Sequence, residues 1–132
     1  PEDAPDYLIG EKLMLTKPAG RYMYKPSLDG RSPDCYSATV GSLGPHAASG
    51  IGNRFFFLLA EGATPPADTG LDAIGRDAAQ RIWYHALTRY MTSSTTYAMA
   101  RAATLQAAAD LFGAGSRQQH AVAAAWSAVS VH

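Results

Sequence analysis

The sequence predicts an all-α fold: an irregular, proline- and glycine-rich N-terminal arm over residues 1–44, then a bundle of about four main helices over 45–132. The two parts are expected to form a single domain, 1–132. Three observations predict this. Five of the eight prolines (Pro1, Pro5, Pro18, Pro26 and Pro33) precede residue 45 and set a turn-rich arm. Beyond Pro45, apolar residues recur at three- and four-residue spacings, the period of a helix with one buried face. A chain of 132 residues is the size of one domain and can bury most of the surface its unfolded form exposes.

In the arm, Lys17-Pro18-Ala19-Gly20 and Leu28-Asp29-Gly30 are turn sequences, and the stretch from Asp6 to Leu15 supports at most a short helix or extended piece. The first main helix is expected from about Ala48 to Ala60, with Ile51, Phe55, Leu58 and Leu59 on one face. Gly62 and then Pro65-Pro66 end it, because proline cannot continue a helix. The second covers about Arg76 to Met91. Its apolar stripe is Ala79, Ile82, Trp83, Ala86, Leu87 and Tyr90, opposite Gln80, Arg81, His85 and Arg89, and Asp77 complements the dipole in its first turn.

The third helix, Thr96 to Phe112, is rich in alanine, the best helix former. Thr95 or Ser94 is its expected N-cap and Gly113 its left-handed C-terminal residue. The fourth runs from about Arg117 to Val129, entered through Ser116 and Gln119 at capping-box spacing, with Val122, Trp126 and Val129 inward. Alanines on facing stripes let helix axes approach closely, and both tryptophans, Trp83 and Trp126, are expected in the core.

Composition excludes several classes. Eleven Lys and Arg balance eleven Asp and Glu, without the clustered basic excess of a nucleic-acid binder. An apolar content of 47% is too high for disorder. The longest apolar run, Phe55 to Ala60, falls far short of the ~20 residues of a membrane span. Pro1-Glu2-Asp3 is acidic where a secretory leader is basic, and the missing initiator Met suggests a processed or trimmed end. The single Cys35 has no partner for an intrachain disulfide and reads as a packed thiol.

The chain carries no complete active site of its own: no H-E-x-x-H, no phosphate loop, no C-x-x-C and no G-x-S-x-G. Alone it is therefore expected to be inactive. His85, His120 and the terminal His132 read as solvated, and no two histidines have the i, i+4 spacing of paired ligands. Three features stand out. His46 sits in Gly44-Pro45-His46-Ala47-Ala48-Ser49-Gly50, where small neighbours leave room beside a potential donor. Arg21 offers a planar fork to a carbonyl or carboxylate. Asp3, Asp6 and Glu11 supply hard oxygens suited to calcium, too few for its six to eight ligands unless others join them.

The segments Ile74-Gly75-Arg76-Asp77, Ile82-Trp83-Tyr84, Ala86-Leu87-Thr88-Arg89-Tyr90, Arg101-Ala102-Ala103-Thr104-Leu105-Gln106 with Asp110-Leu111, and Ala125-Trp126-Ser127-Ala128-Val129 carry a resemblance. With Pro5-Asp6-Tyr7-Leu8-Ile9-Gly10-Glu11 and His46 through Ser49-Gly50 and Asn53, they resemble, in order, the C-terminal helical domain of thermolysin-like zinc metalloendopeptidases. Secreted actinobacterial enzymes look most similar.

The resemblance implies a secreted, extracellular two-domain protease whose zinc, H-E-x-x-H helix and catalytic base lie in a preceding half. This chain would form the other wall of the cleft. His46 matches the histidine that donates to the oxyanion of the tetrahedral intermediate, so that it would be catalytic. Arg21 matches the arginine that holds the carbonyl after the scissile bond. Ile9, Gly10 and Leu13 match the hydrophobic pocket for the side chain there, which would favour a bulky apolar residue. Asp6 and Glu11 match ligands of a calcium site shared with the missing half. The implied partners are that half and a peptide or protein substrate, with no nucleic acid and no membrane. One departure is plain: the family places an aspartate shortly before its histidine, yet no acid occurs between Cys35 and His46, Asp34 being the nearest. That departure suits a rival reading, a non-catalytic helical module binding a peptide or partner protein in the vestigial cleft.

Overall fold

Proline and glycine punctuation shapes the first third of the computed structural model, which describes residues 6–13, 16, 18–63 and 71–132. Expectations placed on Asp3, Pro5, Leu15 and Pro65-Pro66 fall outside the described residues. The arm is more ordered than its composition predicts. The piece after Asp6 is extended: β1 (Leu8–Ile9) pairs antiparallel with β2 (Arg21–Tyr22), Leu8 opposite Tyr22 and Ile9 opposite Arg21. Gly10 turns the chain out of β1 with φ of 78°, and the Gly20 N–H donates to the Ile9 carbonyl at 2.9 Å. Two 3-10 helices follow, Pro26–Asp29 and Ala38–Ser42. The Asp29 carboxylate closes the first by accepting from the Arg31 and Ser32 N–H groups at 2.8 Å each and from the Ser32 hydroxyl at 2.6 Å.

The helices are the short α1 (Pro45–Ala48) and four long ones, α2 (Gly50–Glu61), α3 (Arg76–Arg89), α4 (Tyr97–Phe112) and α5 (Arg117–Ala128). The predicted first helix corresponds to α2, which begins two residues later than expected, and α1 is an unpredicted turn before it, joined through Ser49, whose hydroxyl donates to the His46 carbonyl at 2.9 Å. The bundle is closed by α4 packing on α3 and α5, with α2 packing on the same two helices. Ala79, Ala86, Ala103, Ala107, Ala108 and Ala125 are all buried along these contacts, which lets the axes lie close. At the centre the Phe55 and Trp126 rings stack, centroids 3.8 Å apart. Trp126 Nε1 donates to the buried Thr104 hydroxyl at 2.8 Å, which donates back to the Ala100 carbonyl at 2.9 Å.

The caps follow the sequence with small shifts. Thr96, one residue beyond the expected pair, caps α4 by accepting from the Met99 N–H. Ser116 caps α5 through the Gln119 N–H, but the Gln119 side chain reaches back to the Gly115 N–H rather than to Ser116 itself. Gly113 has a positive φ of 96° with ψ of 149°, so the chain leaves α4 extended and not through a left-handed turn. The stripe of α3 is narrower than predicted. Ala79, Ile82 and Ala86 are buried, while Leu87 and Tyr90 are 50% and 43% exposed. His85, expected to be solvated, instead lies 3.1 Å from the Asp110 carboxylate and ties α3 to α4.

The arm docks on α2. Tyr7 packs edge-on against Phe57 and donates to Glu61 Oε1 at 2.5 Å, and Glu61 also pairs with Arg76 at 3.1 Å. Desolvation of the Tyr7 phenol, its bond to Glu61 and the charge of that carboxylate all push its pKa far up. No helix among the described residues is long and apolar enough to cross a membrane.

Candidate functional site

The strand ladder decides where the candidate residues meet. Pairing Ile9 with Arg21 sets Arg21 beside the β1 turn, and the Leu13 N–H donates to the Gly10 carbonyl at 3.1 Å, curling Leu13 back over the same turn. From there Arg21 crosses to the helical part: its Nη1 donates to the Ser49 hydroxyl at 2.9 Å. Ser49 is the hinge between α1 and α2 and also grips the His46 carbonyl. Ile9, Gly10, Leu13, Arg21, Ser49 and His46 thus lie along one connected run of structure. Ile9 and Leu13 are 45% and 84% exposed, so their apolar groups face outward.

His46 is held by Pro45 at the first turn of α1, and its imidazole is exposed. Among the described residues no side chain bonds to that ring. Asp34, the nearest acid before it, is engaged elsewhere: its carboxylate accepts from the Ser27 N–H at 2.9 Å and the Ser27 hydroxyl at 2.8 Å. The sequence left open whether Asp34 reaches His46, and in this structure its bonds go to Ser27.

Next to Ser49 opens a cleft of about 330 Å³, walled by Met23, Ser49, Gly52, Phe56, Trp83 and Tyr97. Trp83, expected wholly in the core, is half-buried and forms part of this wall. Tyr97 braces it: the phenol donates to the Ala48 carbonyl at 2.7 Å and accepts from the Gly52 N–H at 3.3 Å. Burial raises the Tyr97 pKa, with the Gly52 N–H acting the other way. Ser49, Tyr97 and Phe56 were not singled out from the sequence. The Arg21 partner of Ser49 is 28 residues away, and the Gly52 and Ala48 partners of Tyr97 are 45 and 49 residues away.

Among the described residues no three His, Cys, Asp or Glu side chains gather as a metal site. Asp6 uses one carboxylate oxygen to accept from the Leu8 N–H at 2.9 Å, an Asx turn that leaves its other oxygen free of that bond. Glu11 follows in the turn after β1, half-buried. Asp6 and Glu11 offer oxygen donors of the right hardness but only part of a calcium shell. Cys35 is a packed thiol in this structure, its Sγ 3.8 Å from the Ala128 carbonyl and 3.3 Å from Arg54 Nη1.

The family described as thermolysin metallopeptidase, alpha-helical domain, matches residues 2–131. The transglutaminase-activating metalloprotease of Streptomyces mobaraensis is 43% identical over 99% of this chain and 19% of its own length. A bacillolysin of Bacillus cereus is 44% identical over 97% of the chain and 24% of its own, and a thermolysin of Alicyclobacillus acidocaldarius is 38% identical over the same shares. The chain belongs to the thermolysin metallopeptidase α-helical domain family. It spans about a quarter or less of the length of these relatives.

Proposed function

We propose that the chain is the C-terminal wall of the cleft of a secreted zinc metalloendopeptidase, and that it works with a preceding half that carries the zinc. The observation that carries this reading is the Arg21–Ser49 bond beside the exposed His46: a fixed cation and a free imidazole on one edge, flanked by an apolar cleft. The family is described as a metallopeptidase domain and one relative is named a metalloprotease, which supports the reaction class.

Zinc bound by the other half would polarise the scissile carbonyl and activate a water molecule. The residues of this chain do the rest of the holding. Arg21, oriented by Ser49, donates to the carbonyl of the residue after the cut. Ile9, Gly10 and Leu13 receive that residue's apolar side chain. His46 donates to the oxygen that becomes negative as the carbonyl carbon turns tetrahedral, an interaction stronger in the transition state than in the ground state. Asp6 and Glu11 supply part of a calcium shell that the other half completes, stapling the halves together.

In the whole enzyme, His46→Phe tests the central role. Loss of an oxyanion donor is worth about 2.7–4 kcal/mol, so kcat falls by about a hundredfold or more while KM changes little. An unchanged kcat overturns the assignment. Among the described residues no carboxylate reaches the His46 ring, which favours a second reading, a non-catalytic module that binds peptide in this cleft. Zinc content of the purified whole protein separates the two: about one zinc per molecule supports the protease, and none with retained peptide binding supports the module.

A further inference from the structure

A second cleft, of about 490 Å³, lies on the other flank of α2, lined by Tyr24, Lys25, Asp34, Arg54 and Phe57, and it shares none of the wall residues of the Ser49 cleft named above. Its chemistry turns on Arg54. Nη1 donates to the Asp34 carbonyl at 3.2 Å and to the Cys35 sulfur, a weak acceptor, at 3.3 Å. Nε is buried and has no hydrogen-bond partner. Among the described residues no carboxylate pairs with this guanidinium; the two oxygens of Asp34 accept from Ser27 instead. A half-buried cation with an orphaned N–H is unfavourable unless something supplies an acceptor. The exposed Lys25 adds a second positive charge at the rim, and the Tyr24 and Phe57 rings, 6.0 Å apart, form apolar walls.

We propose that this cleft binds a monoanionic carboxylate carrying a planar or apolar body. The carboxylate docks on the part of the Arg54 guanidinium that faces the cleft, Lys25 closes over it, and the body packs against the outer faces of the Tyr24 and Phe57 rings. A carboxylate suits the site better than a phosphate dianion, because the Asp34 carboxylate lines the same cleft and repels excess negative charge. Small free acids and peptide C-termini share this chemistry. The inference does not depend on His46 or on catalysis.

The test uses the whole protein labelled with 15N-arginine, titrated with sodium benzoate at constant ionic strength. The expected result is a saturable shift of the Arg54 Nε–H resonance, absent with neutral benzamide. Arg54→Lys, which keeps the charge but loses the fork, weakens binding about tenfold, and the surface variant Lys25→Ala weakens it several-fold. N-acetylphenylalanine binding more tightly than benzoate assigns the site to peptide C-termini; the reverse order assigns it to small free acids. No saturable shift into the tens of millimolar, equal response to benzamide, or unchanged affinity in a folded Lys25→Ala variant overturns the proposal.

Discussion

Arg21 and Ser49, 28 residues apart, are joined by a 2.9 Å hydrogen bond from guanidinium to hydroxyl, and the same hydroxyl donates to the backbone carbonyl of His46. One serine therefore sets the direction of the cation and the pitch of the turn that displays the imidazole. It also links the strand ladder of the arm to the helical bundle.

Ser49→Ala removes the acceptor and leaves a half-buried guanidinium without it. The expected cost is about 1–3 kcal/mol of stability, the range for losing a hydrogen bond to a charged group. In the proposed whole enzyme KM is expected to rise more than kcat falls, because Arg21 still carries its charge but is no longer held in place. Steady-state kinetics with thermal melts checks this, and Ser49→Thr, which keeps the hydroxyl, restores most of the loss. Equal kinetics for the alanine variant would remove Ser49 from the site.

Gly50, next in sequence, is intolerant for a different reason. A Cβ there would lie 2.9 Å from the Ser32 Cβ and 3.0 Å from both the Pro26 Cβ and the Pro33 carbonyl oxygen. Two of these neighbours belong to prolines and cannot swing aside. Gly50→Ala is expected to destabilise by about 1–3 kcal/mol despite its better helix propensity. A rise in the urea midpoint would contradict the close packing of arm on α2.

The bundle was legible because its signals are local: helical spacing, Ser116 before Gln119, Asp77 in a first turn. What was not legible depends on contacts across the chain. Nothing beside Ser49 or Tyr97 in sequence reveals Arg21 or Gly52 as a partner. Leu87 and Tyr90 are exposed although they fall on the predicted stripe, which periodicity on α3 alone cannot report. The ladder between Leu8–Ile9 and Arg21–Tyr22 was hidden by its two-residue strands, too short for a pattern of alternation. His46 and Arg21 stood out in the sequence on local features, but their roles, and the Ile9–Leu13 turn as a pocket, came only from longer motifs that carried a family resemblance. The bond that orients Arg21 came from the fold.

In the core, the Trp126 indole N–H depends on one acceptor, the buried hydroxyl of Thr104. Thr104→Val keeps the shape and strands that N–H, at a cost of about 1–3 kcal/mol. Trp126→Phe removes the donor as well, so the double variant costs less than the sum of the two single ones. A double-mutant cycle in urea measures the coupling, and strict additivity would show that the bond contributes nothing.

The isolated 132-residue chain is expected to self-associate. Ile9 and Leu13 are exposed on the edge that the proposed partner half would face, beside the apolar cleft at Phe56 and Trp83. Sedimentation velocity across a dilution series checks this. A monomer that unfolds cooperatively at every concentration, with or without calcium, would show that the exposed edge needs no cover.

Stability should fall at both extremes of pH, through different residues. Asp110 is held below its usual value, first by the Tyr90 hydroxyl, then by Gln106 and His85. Its folded pKa is depressed, so its contribution is present above the unfolded value near 3.8 and is lost as pH falls through the folded one. Tyr7 and Tyr97 are raised, chiefly by burial, and Tyr90 chiefly by its bond to Asp110. For a raised tyrosine the contribution is complete below the unfolded value of about 10 and declines as pH climbs towards the folded one. Urea midpoints measured from acid to alkali should therefore drop at both ends. Asp110→Asn flattens the acid limb and also removes the Tyr90 part of the alkaline limb, leaving the parts due to Tyr7 and Tyr97. Tyr7→Phe lowers the neutral plateau, because the Glu61 bond is gone, yet makes the alkaline fall shallower. An alkaline limb of unchanged depth in Tyr7→Phe would show that this phenol is not held neutral by the packing of arm against α2.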